Sequence, residues 1–415
     1  MSTSFVVRAG AILDVDAGSL RTDVAVVVRD GVIEEVVPSS RARPDVDLPD
    51  CTILPGLIDA HLHFGADATN LEMRLVKVTP TRQAIDAVAD AARTLRAGVT
   101  TVRLMGMVKG WLDLALRDAV AEGVVEGPRI LACGQMISTT GGHGELLVGS
   151  PEHSIESWAT IVDGVDEARK GARSLIRRGA DFLKLAASGG MSSPADEVSS
   201  RQLTAGEIAA CVDEAAAVGI QVAAHAQGIA GIQAALEGGV NSIEHGFFLD
   251  EESARYMRDH DVYLVPTLSV PDDFVRRGRE GQIPEFALRK AEGALEASKQ
   301  AFAIARRERV PIVMGSDNGF RDLHGHNNVS ELVRMVSLGM PPADAIRSAT
   351  SVSAHYLGLD RLGRIDTEYV ADLVAVEGDP IANIDALRQV RLVMKEGRVV
   401  AGSGASSSLH AGSAH

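Results

Sequence analysis

The chain has 415 residues, 46% of them apolar and 23% charged, with a formal net charge of −15. That length accommodates one large α/β domain with a smaller companion, and the negative field disfavours broad binding to nucleic acid or to anionic membrane surfaces. Cys51, Cys133 and Cys211 are too few and too scattered for a disulfide framework or a cysteine metal cluster, and Arg8, Asp14 and Asp16 break the N-terminal text before any signal-peptide core or membrane span can form, so a reducing, cytoplasmic setting is expected.

From the N-terminus, "FVVRAGAILDV" and "VAVVVRDGVIEEVVP" read as short strands, with Asp30-Gly31 a hairpin signal between β-branched runs. Further on, short apolar runs recur near residues 57–63, 99–104, 129–135, 181–187, 220–225, 240–246, 262–268 and 311–317. Helical texts such as "RQAIDAVADAARTLRAG" and "TAGEIAACVDEAAAVG" lie between them and end in glycine, where a helix C-cap is expected. Thr204 and Glu207 stand at capping-box spacing at one helix start. Eight buried-strand candidates alternating with helices predict an α/β chain with a (β/α)8 TIM-type barrel. An open doubly wound sheet is the rival fold, weakened because no Gly-rich phosphate fingerprint follows the first strand. Towards the C-terminus, "GRIDTEYVADLVAVEGD" and "VRLVMKEGRVVAG" return to short valine-rich strands, with a turn at Glu396-Gly397. The expected organisation is a small β-sandwich domain built from residues 1–52 and 360–402, a barrel domain over 53–359, and a flexible tail at 403–415.

In a barrel of this type the chemistry gathers at the C-terminal ends of the strands. Those ends carry His61 and His63 in "GLIDAHLHFG", Lys184 in "DFLKLAASGG", His225 in "QVAAHAQG", His245 in "NSIEHG" and Asp317 in "PIVMGSDNG". Side chains two apart on a strand share a face, so His61 and His63 point the same way. One histidine at a strand end is commonly a hydrogen-bonded structural residue. Four of them converging with a carboxylate point to a metal site, and imidazole with carboxylate suits Zn²⁺ or a neighbouring transition ion better than Mg²⁺ or Ca²⁺. Lys184 has two readings: a salt-bridged lysine reaching the rim, or an amine carboxylated by CO₂ that bridges two metals.

The set "HLH", "FLKLAASGG", "AAHAQG", "SIEHG" and "GSDNG", together with "ILPGLIDAHLH", "AGVTTVR", "TGGHGE" and "ATSVSAHYLGL", resembles the metal-dependent amidohydrolase superfamily. Within it the chain is similar to the imidazolonepropionase-like, prolidase-like branch, which includes ochratoxinase-like enzymes and Xaa-Pro and Xaa-Arg/Lys dipeptidases. The resemblance implies two divalent ions, zinc in the first instance, with His61, His63 and Asp317 on the more buried one, His225 and His245 on the second, and N6-carboxylated Lys184 bridging. It further implies that a metal-bridging hydroxide attacks the carbonyl of an amide, peptide-like, N-acyl amino acid, carbamate or urea substrate. Asp317 would move the proton to the leaving nitrogen, and His143 in "STTGGHGE" would lie near the carbonyl. Self-association into a homo-oligomer is common among such barrels.

Two departures stand out. Where relatives commonly read Arg-Asp-x-Gly-Gly, this chain reads "RLMGM", keeping Arg103 but placing Leu104 at the acid and Met107 at the second glycine, and Phe248 stands where peptidase-like members often have tyrosine. These changes favour a hydrophobic or aromatic amide or carbamate. Arg103, Met107, Phe248 and His324 join His143 as candidate substrate contacts. Two further segments read as loops, "SVPDDFVRRGREGQIPEF" with Arg276, Arg277 and Arg279, and "GFRDLHGHNN" with Arg321, His324 and His326, whose arginines serve either as solvated charge or as a grip on a substrate acid. Two competing functions remain: a mononuclear imidazolonepropionase-like cyclic-amide hydrolase or deaminase, against which Lys184 argues, and a non-catalytic scaffold of the same fold.

Overall fold

The computed structural model describes residues 4–70, 77–145, 158–325 and 327–402; the expected flexible tail at 403–415 and His326 lie outside them. The chain divides into two compact units, one formed by residues up to Ile58 with Leu95–Thr100 and the residues from Pro341 onward, the other by Asp59–Thr94 with Thr101–Met340.

The terminal unit begins with β1 (Ser4–Asp14), β2 (Ser19–Thr22), β3 (Val24–Arg29), β4 (Val32–Pro38) and β5 (Val46–Pro55). Asp30 and Gly31 join β3 to β4 with φ of 49° and 86°, the positive values that let a tight turn follow the right-handed twist of a hairpin. β1 pairs antiparallel with β2 and β3 and parallel with β5. Valine and isoleucine on alternate positions, among them Val7, Val26, Ile33 and Ile53, are buried in the unit's core.

The second unit takes up the chain through β6 (Leu57–Leu62), β7 (Val99–Leu104) and β8 (Arg129–Ala132), which form one sheet. A six-stranded parallel sheet follows, made of β9 (Met136–Ser138), β10 (Ala159–Ile161), β11 (Phe182–Ala186), β12 (Gln221–Ala226), β13 (Ser242–His245) and β14 (Tyr263–Val265) in the order β10-β9-β11-β12-β13-β14. β11 and β13 are both buried throughout; β11 reads as a near-continuous apolar run, whereas β13, Ser-Ile-Glu-His, buries polar residues. Helices Ala205–Ala216 and Ile229–Glu237 follow β11 and β12. The first opens on the expected capping box: Glu207 N donates to Thr204 Oγ1 at 3.3 Å and Thr204 N to Glu207 Oε2 at 2.7 Å.

Two expectations are corrected here. The eighth run, 311–317, is extended but forms only isolated parallel bridges, Ile312 to Leu264 and Asn318 to Leu62. Its hydrogen bonds still reach both neighbours, Val313 N to Leu264 O at 3.0 Å and Ala60 N to Met314 O at 2.9 Å. At Gly315 the packing is so close that a Cβ would lie 2.4 Å from Val265 Cγ1 and 2.7 Å from His61 Cβ, leaving no side chain but hydrogen possible. The segment expected as an arginine-rich loop is instead helix Ser269–Arg279 followed by a turn, with Pro271 tolerated in the first helical turn. Arg277 is buried, its guanidinium 4.2 Å over the Phe320 ring and doubly bonded to Asp322 at 2.7 and 2.6 Å, so it is committed within the fold.

The chain then returns to the terminal unit with β15 (Leu373–Glu377), β16 (Val390–Lys395) and β17 (Arg398–Gly402). β15 runs antiparallel to β5, Ala375 opposite Ile53, so strands from the two chain ends share one sheet in the order β17-β16-β15-β5-β1-β3-β4. Among the described residues no helix is long and apolar enough to cross a membrane.

Asp113 supplies a pH handle on the second unit. It is 2% exposed, accepts from Leu114 N at 2.9 Å and Gly134 N at 2.8 Å, and is pushed up to about 7 by burial, those bonds only partly offsetting it. In the unfolded chain an aspartate titrates near ~3.9, so between the two values the folded protein holds a proton the unfolded one has released. Stability therefore falls as pH rises through that window. Urea midpoints measured from about pH 5 to about pH 8 should decline, and Asp113→Asn should flatten the slope; an unchanged slope in the variant would refute the assignment.

Candidate active site

The site grows from the end of β6. Asp59, fully buried, accepts from His61 N at 3.1 Å and Ser316 N at 3.0 Å with one oxygen and from Asn328 Nδ2 at 2.6 Å with the other. One carboxylate thus fixes the strand bearing His61 and His63 against the run bearing Asp317.

Each of the four strand-end histidines has one ring nitrogen held by a structural neighbour, and in His61 and His63 the other faces Asp317. His61 Nδ1 lies 2.6 Å from Glu244 Oε2, His63 Nδ1 3.0 Å from Gly106 O, His225 Nε2 3.1 Å from Gly189 O, and His245 Nδ1 2.8 Å from Thr267 Oγ1. A donor nitrogen held in this way leaves the opposite nitrogen with its lone pair, the arrangement that orients imidazoles toward a cation. Burial pushes His63, His225 and His245 below the usual histidine range, keeping these rings neutral and able to ligate.

The rings converge. His61 and His245 centroids are 4.9 Å apart, His225 and His245 4.6 Å, and Asp317 Oδ1 stands 3.0 Å from His63 Nε2 and 3.4 Å from His61 Nε2. One ligand atom from each of His61, His245 and Asp317 falls within 4.8 Å of the others. Burial opposes ionisation of Asp317, but the neighbouring His61, His63 and His245 hold its carboxyl well below the usual range. Lys184 enters the same pocket from β11, 3% exposed, with no hydrogen-bond partner for Nζ among the described residues, and burial foremost lowers it to about 8.

Four residues lining or supporting this pocket hold left-handed backbone without being glycine: Met107 at φ 71°, His245 at 73°, Thr267 at 46° and Asp317 at 48°. Such strain persists where surrounding structure over-determines the conformation, and it clusters at functional sites.

His143 closes one side. Its ring stacks on His225 at 4.2 Å, and Nδ1 lies 2.5 Å from Ser193 Oγ and 3.6 Å from Asp196 Oδ2. The loop that supplies both partners is tied down from behind by Lys290, whose buried Nζ bonds to Gly190 O at 3.1 Å, to Ser193 O at 2.7 Å and to Asp196 O. A Cβ at Gly190 would fall 2.3 Å from the His143 ring.

The pocket thus gathers His61, His63, Met107, His143, Lys184, His225, His245 and Asp317, within walls of Met105, Met136, Met191, Phe274 and Phe320. Three expected substrate contacts lie elsewhere. Arg103 is 1% exposed and bonds to Glu244 Oε1 at 2.8 Å and Ala60 O at 2.7 Å, beneath the ligand layer rather than in it. Phe248 is 41% exposed and lines a separate concavity with Ile229 and Arg289, because the left-handed turn at His245 and Gly246 directs Phe247 inward, 5.5 Å from His245. His324 is 1% exposed, edge-on to Phe64 at 5.4 Å and 3.2 Å from Asn318 Nδ2, a packing role. Sequence reasoning missed Glu244. Its signal was an acid next to His245 within a short run read as a buried strand; burial opposes its ionisation, yet Arg103, Lys184 and His61 hold it well below the usual carboxylate range.

Comparison with known proteins accords with this geometry: the profile of the amidohydrolase family matches residues 52–400. The chain belongs to the amidohydrolase family. It is 29% identical over 432 residues to ochratoxinase of Aspergillus niger, covering 96% of this chain and 87% of the relative. Among solved structures, a Xaa-Pro dipeptidase with methionine bound in its active site superposes with a TM-score of 0.90 at 34% identity, over 96% of this chain and 99% of the other. The A. niger ochratoxinase structure gives 0.84 at 27%, over 97% and 96%. Family membership with these neighbours makes the chain a hydrolase of carbon–nitrogen bonds on the prolidase-like, ochratoxinase-like branch.

Two outcomes follow for the supporting residues. Glu244→Gln removes the carboxylate that bonds to buried Arg103 and to His61; it should cost about 3–5 kcal/mol in urea unfolding and weaken metal retention about 10–100-fold in chelator competition. Unchanged values in both would remove Glu244 from the site's support. Lys290→Met should speed amide hydrogen exchange across residues 189–202 while β12 keeps its protection; uniform protection would show the loop holds itself.

Proposed function

We propose that the chain is a binuclear metal-dependent amidohydrolase whose metals are held by His61, His63 and Asp317 on one side and His225 and His245 on the other, with N6-carboxylated Lys184 between them. The observation that carries this reading is the unpartnered amine of Lys184 among neutral imidazoles and a carboxylate. A charged ammonium there has no acceptor, whereas a neutral amine can add to CO₂ and release a proton, turning the leftover group into an anion that matches cations. Nitrogen and carboxylate donors fit zinc by type. The ions, when bound, supply Lewis acidity toward the substrate carbonyl and make water a better nucleophile.

The chain's own residues do the rest. Asp317 accepts the proton of the attacking water and returns it to the leaving nitrogen, for which its ionised state at neutral pH is the required starting form. His143, with Nδ1 accepting from the Ser193 hydroxyl, presents Nε2 as a donor to the carbonyl oxygen. The substrate is an amide, N-acyl amino acid, carbamate or urea. We also infer that the eight runs of the second unit close into a (β/α)8 barrel and that the terminal strands form a β-sandwich domain. The hydrogen bonds from β14 through 311–317 to β6, and from Asp181 N to Ala132 O at 2.9 Å between β8 and the approach to β11, support the closure.

Asp317→Asn should lower turnover of any substrate found in an amide panel by about three orders of magnitude or more while circular dichroism and melting stay near those of the parent. Elemental analysis should give two ions per chain, and ¹³CO₂ labelling should give a carbamate signal lost in Lys184→Ala. One ion per chain with full activity in Lys184→Ala would favour the mononuclear scheme instead.

A further inference from the structure

We propose that the pocket is built for a substrate that is uncharged apart from its scissile group, an amide or carbamate flanked by apolar substituents, and that it rejects ligands bearing a free carboxylate away from that group. This rests on the reading of the site as an amide hydrolase and narrows its substrate class.

The first observation is the charge inventory. Among the described lining residues the only lysine or arginine is Lys184, at the histidine cluster itself. The cations nearby are already committed: Arg103 to Glu244, Arg277 to Asp322 and the Phe320 ring, Lys290 to the carbonyls of the loop 190–196. Of the residues outside the description, 146–157 contain no lysine or arginine and 71–76 contain one, Arg74. A carboxylate carried into walls of Met105, Met107, Met191, Phe274 and Phe320 would lose its hydration and find no guanidinium to replace it.

The second observation is independent of the first. Two wall residues each bury a polar atom that has no partner among the described residues: the indole Nε1 of Trp158, in a residue 5% exposed, and Oε1 of Gln227, in one 3% exposed. One is a donor and the other an acceptor. Buried polar atoms are normally satisfied, and an orphan donor and acceptor on the wall of a ligand pocket fit the complementary atoms of a neutral group, a carbonyl oxygen for the indole and an N–H for the glutamine. Neither could neutralise a carboxylate. The methionines add walls that adjust to bulky or planar apolar substituents without a charged anchor.

Zinc-loaded Asp317→Asn protein, which should bind without turning over, can be tested by equilibrium dialysis against benzanilide and 4-benzamidobenzoate, two amides differing only in a remote carboxylate. Benzanilide should bind about 100-fold more tightly or better, and Trp158→Phe or Gln227→Leu in that background should weaken it about 10-fold each. Equal or tighter binding of the carboxylate, no binding of either, or unchanged benzanilide affinity in both variants would overturn the proposal. Hydrolysis by the unsubstituted protein is read separately: the binding preference without cleavage of any neutral amide would sink the amide-hydrolase reading while leaving the ligand class intact.

Discussion

A buried amine with no acceptor among the described residues is the constraint around which this site is organised. Lys184 lies on a strand buried on both faces and is itself 3% exposed, so it does not reach the rim. The nearby carboxylates do not serve it with a hydrogen bond: Glu244 is shared between His61, Arg103 and Ser242, and Asp317 faces His61 and His63. The Lys184 amine is left without a hydrogen bond among the described residues, and desolvation moves it toward the neutral form that can act as a nucleophile. The histidines have the complementary property. Each fixes one nitrogen on a structural neighbour and turns the other into the pocket, for His61 and His63 toward Asp317, so nitrogen and carboxylate donors converge from several directions.

Holding such a set requires a backbone that would not adopt these angles unaided. His245 and Asp317 both stand in the left-handed region, where a side chain costs about 1 kcal/mol or more relative to glycine. Their neighbours show what absorbs that cost. Asp59 bonds across from β6 to Ser316 and Asn328, and Glu331 accepts from Leu268 N and Ser269 N at 2.8 Å each, fixing the chain just after Thr267, the residue that orients His245. Burial pushes Glu331 up to about 7, a cost borne for two backbone bonds at the mouth. The backbone carrying His61, His245 and Asp317 is thus set by carboxylates outside the pocket lining, Asp59 on His61 N and Ser316 N and Glu331 on the chain after Thr267.

The contrast between what the sequence disclosed and what it hid follows from range. The eight apolar runs and the residues at their ends were legible because burial on both faces leaves a compositional mark and because histidine, lysine and aspartate are rare in such settings. The union of β5 with β15 was legible only as two similar textures at the chain ends; the register was not, since nothing local encodes a partner more than 300 residues away. Phe247 and Phe248 could not be told apart from sequence, because which of them turns inward depends on the φ of His245. Arg103 looked like a substrate contact until its counter-ion Glu244 was seen, and the helix Ser269–Arg279 was disguised by its proline and its charges.

The loop after β11 shows how these levels join. It leaves the strand carrying Lys184, passes Gly189, whose carbonyl takes the His225 Nε2 bond, and then wraps His143 with Ser193, Asp196 and Gln202, the last accepting from His143 N at 2.8 Å. The same stretch therefore aligns a proposed metal ligand and the proposed carbonyl donor. A loop of glycines and serines has little apolar surface with which to hold one shape, and conformational entropy would spread it over many. Lys290 answers that with a single point charge surrounded by main-chain oxygens, its own charge paired with Asp196 at 3.3 Å. Because Asp196 also approaches His143, the helix Glu285–Glu308 acts on the pocket through one carboxylate, and the precision of His143 becomes a property of packing far from the reacting atoms.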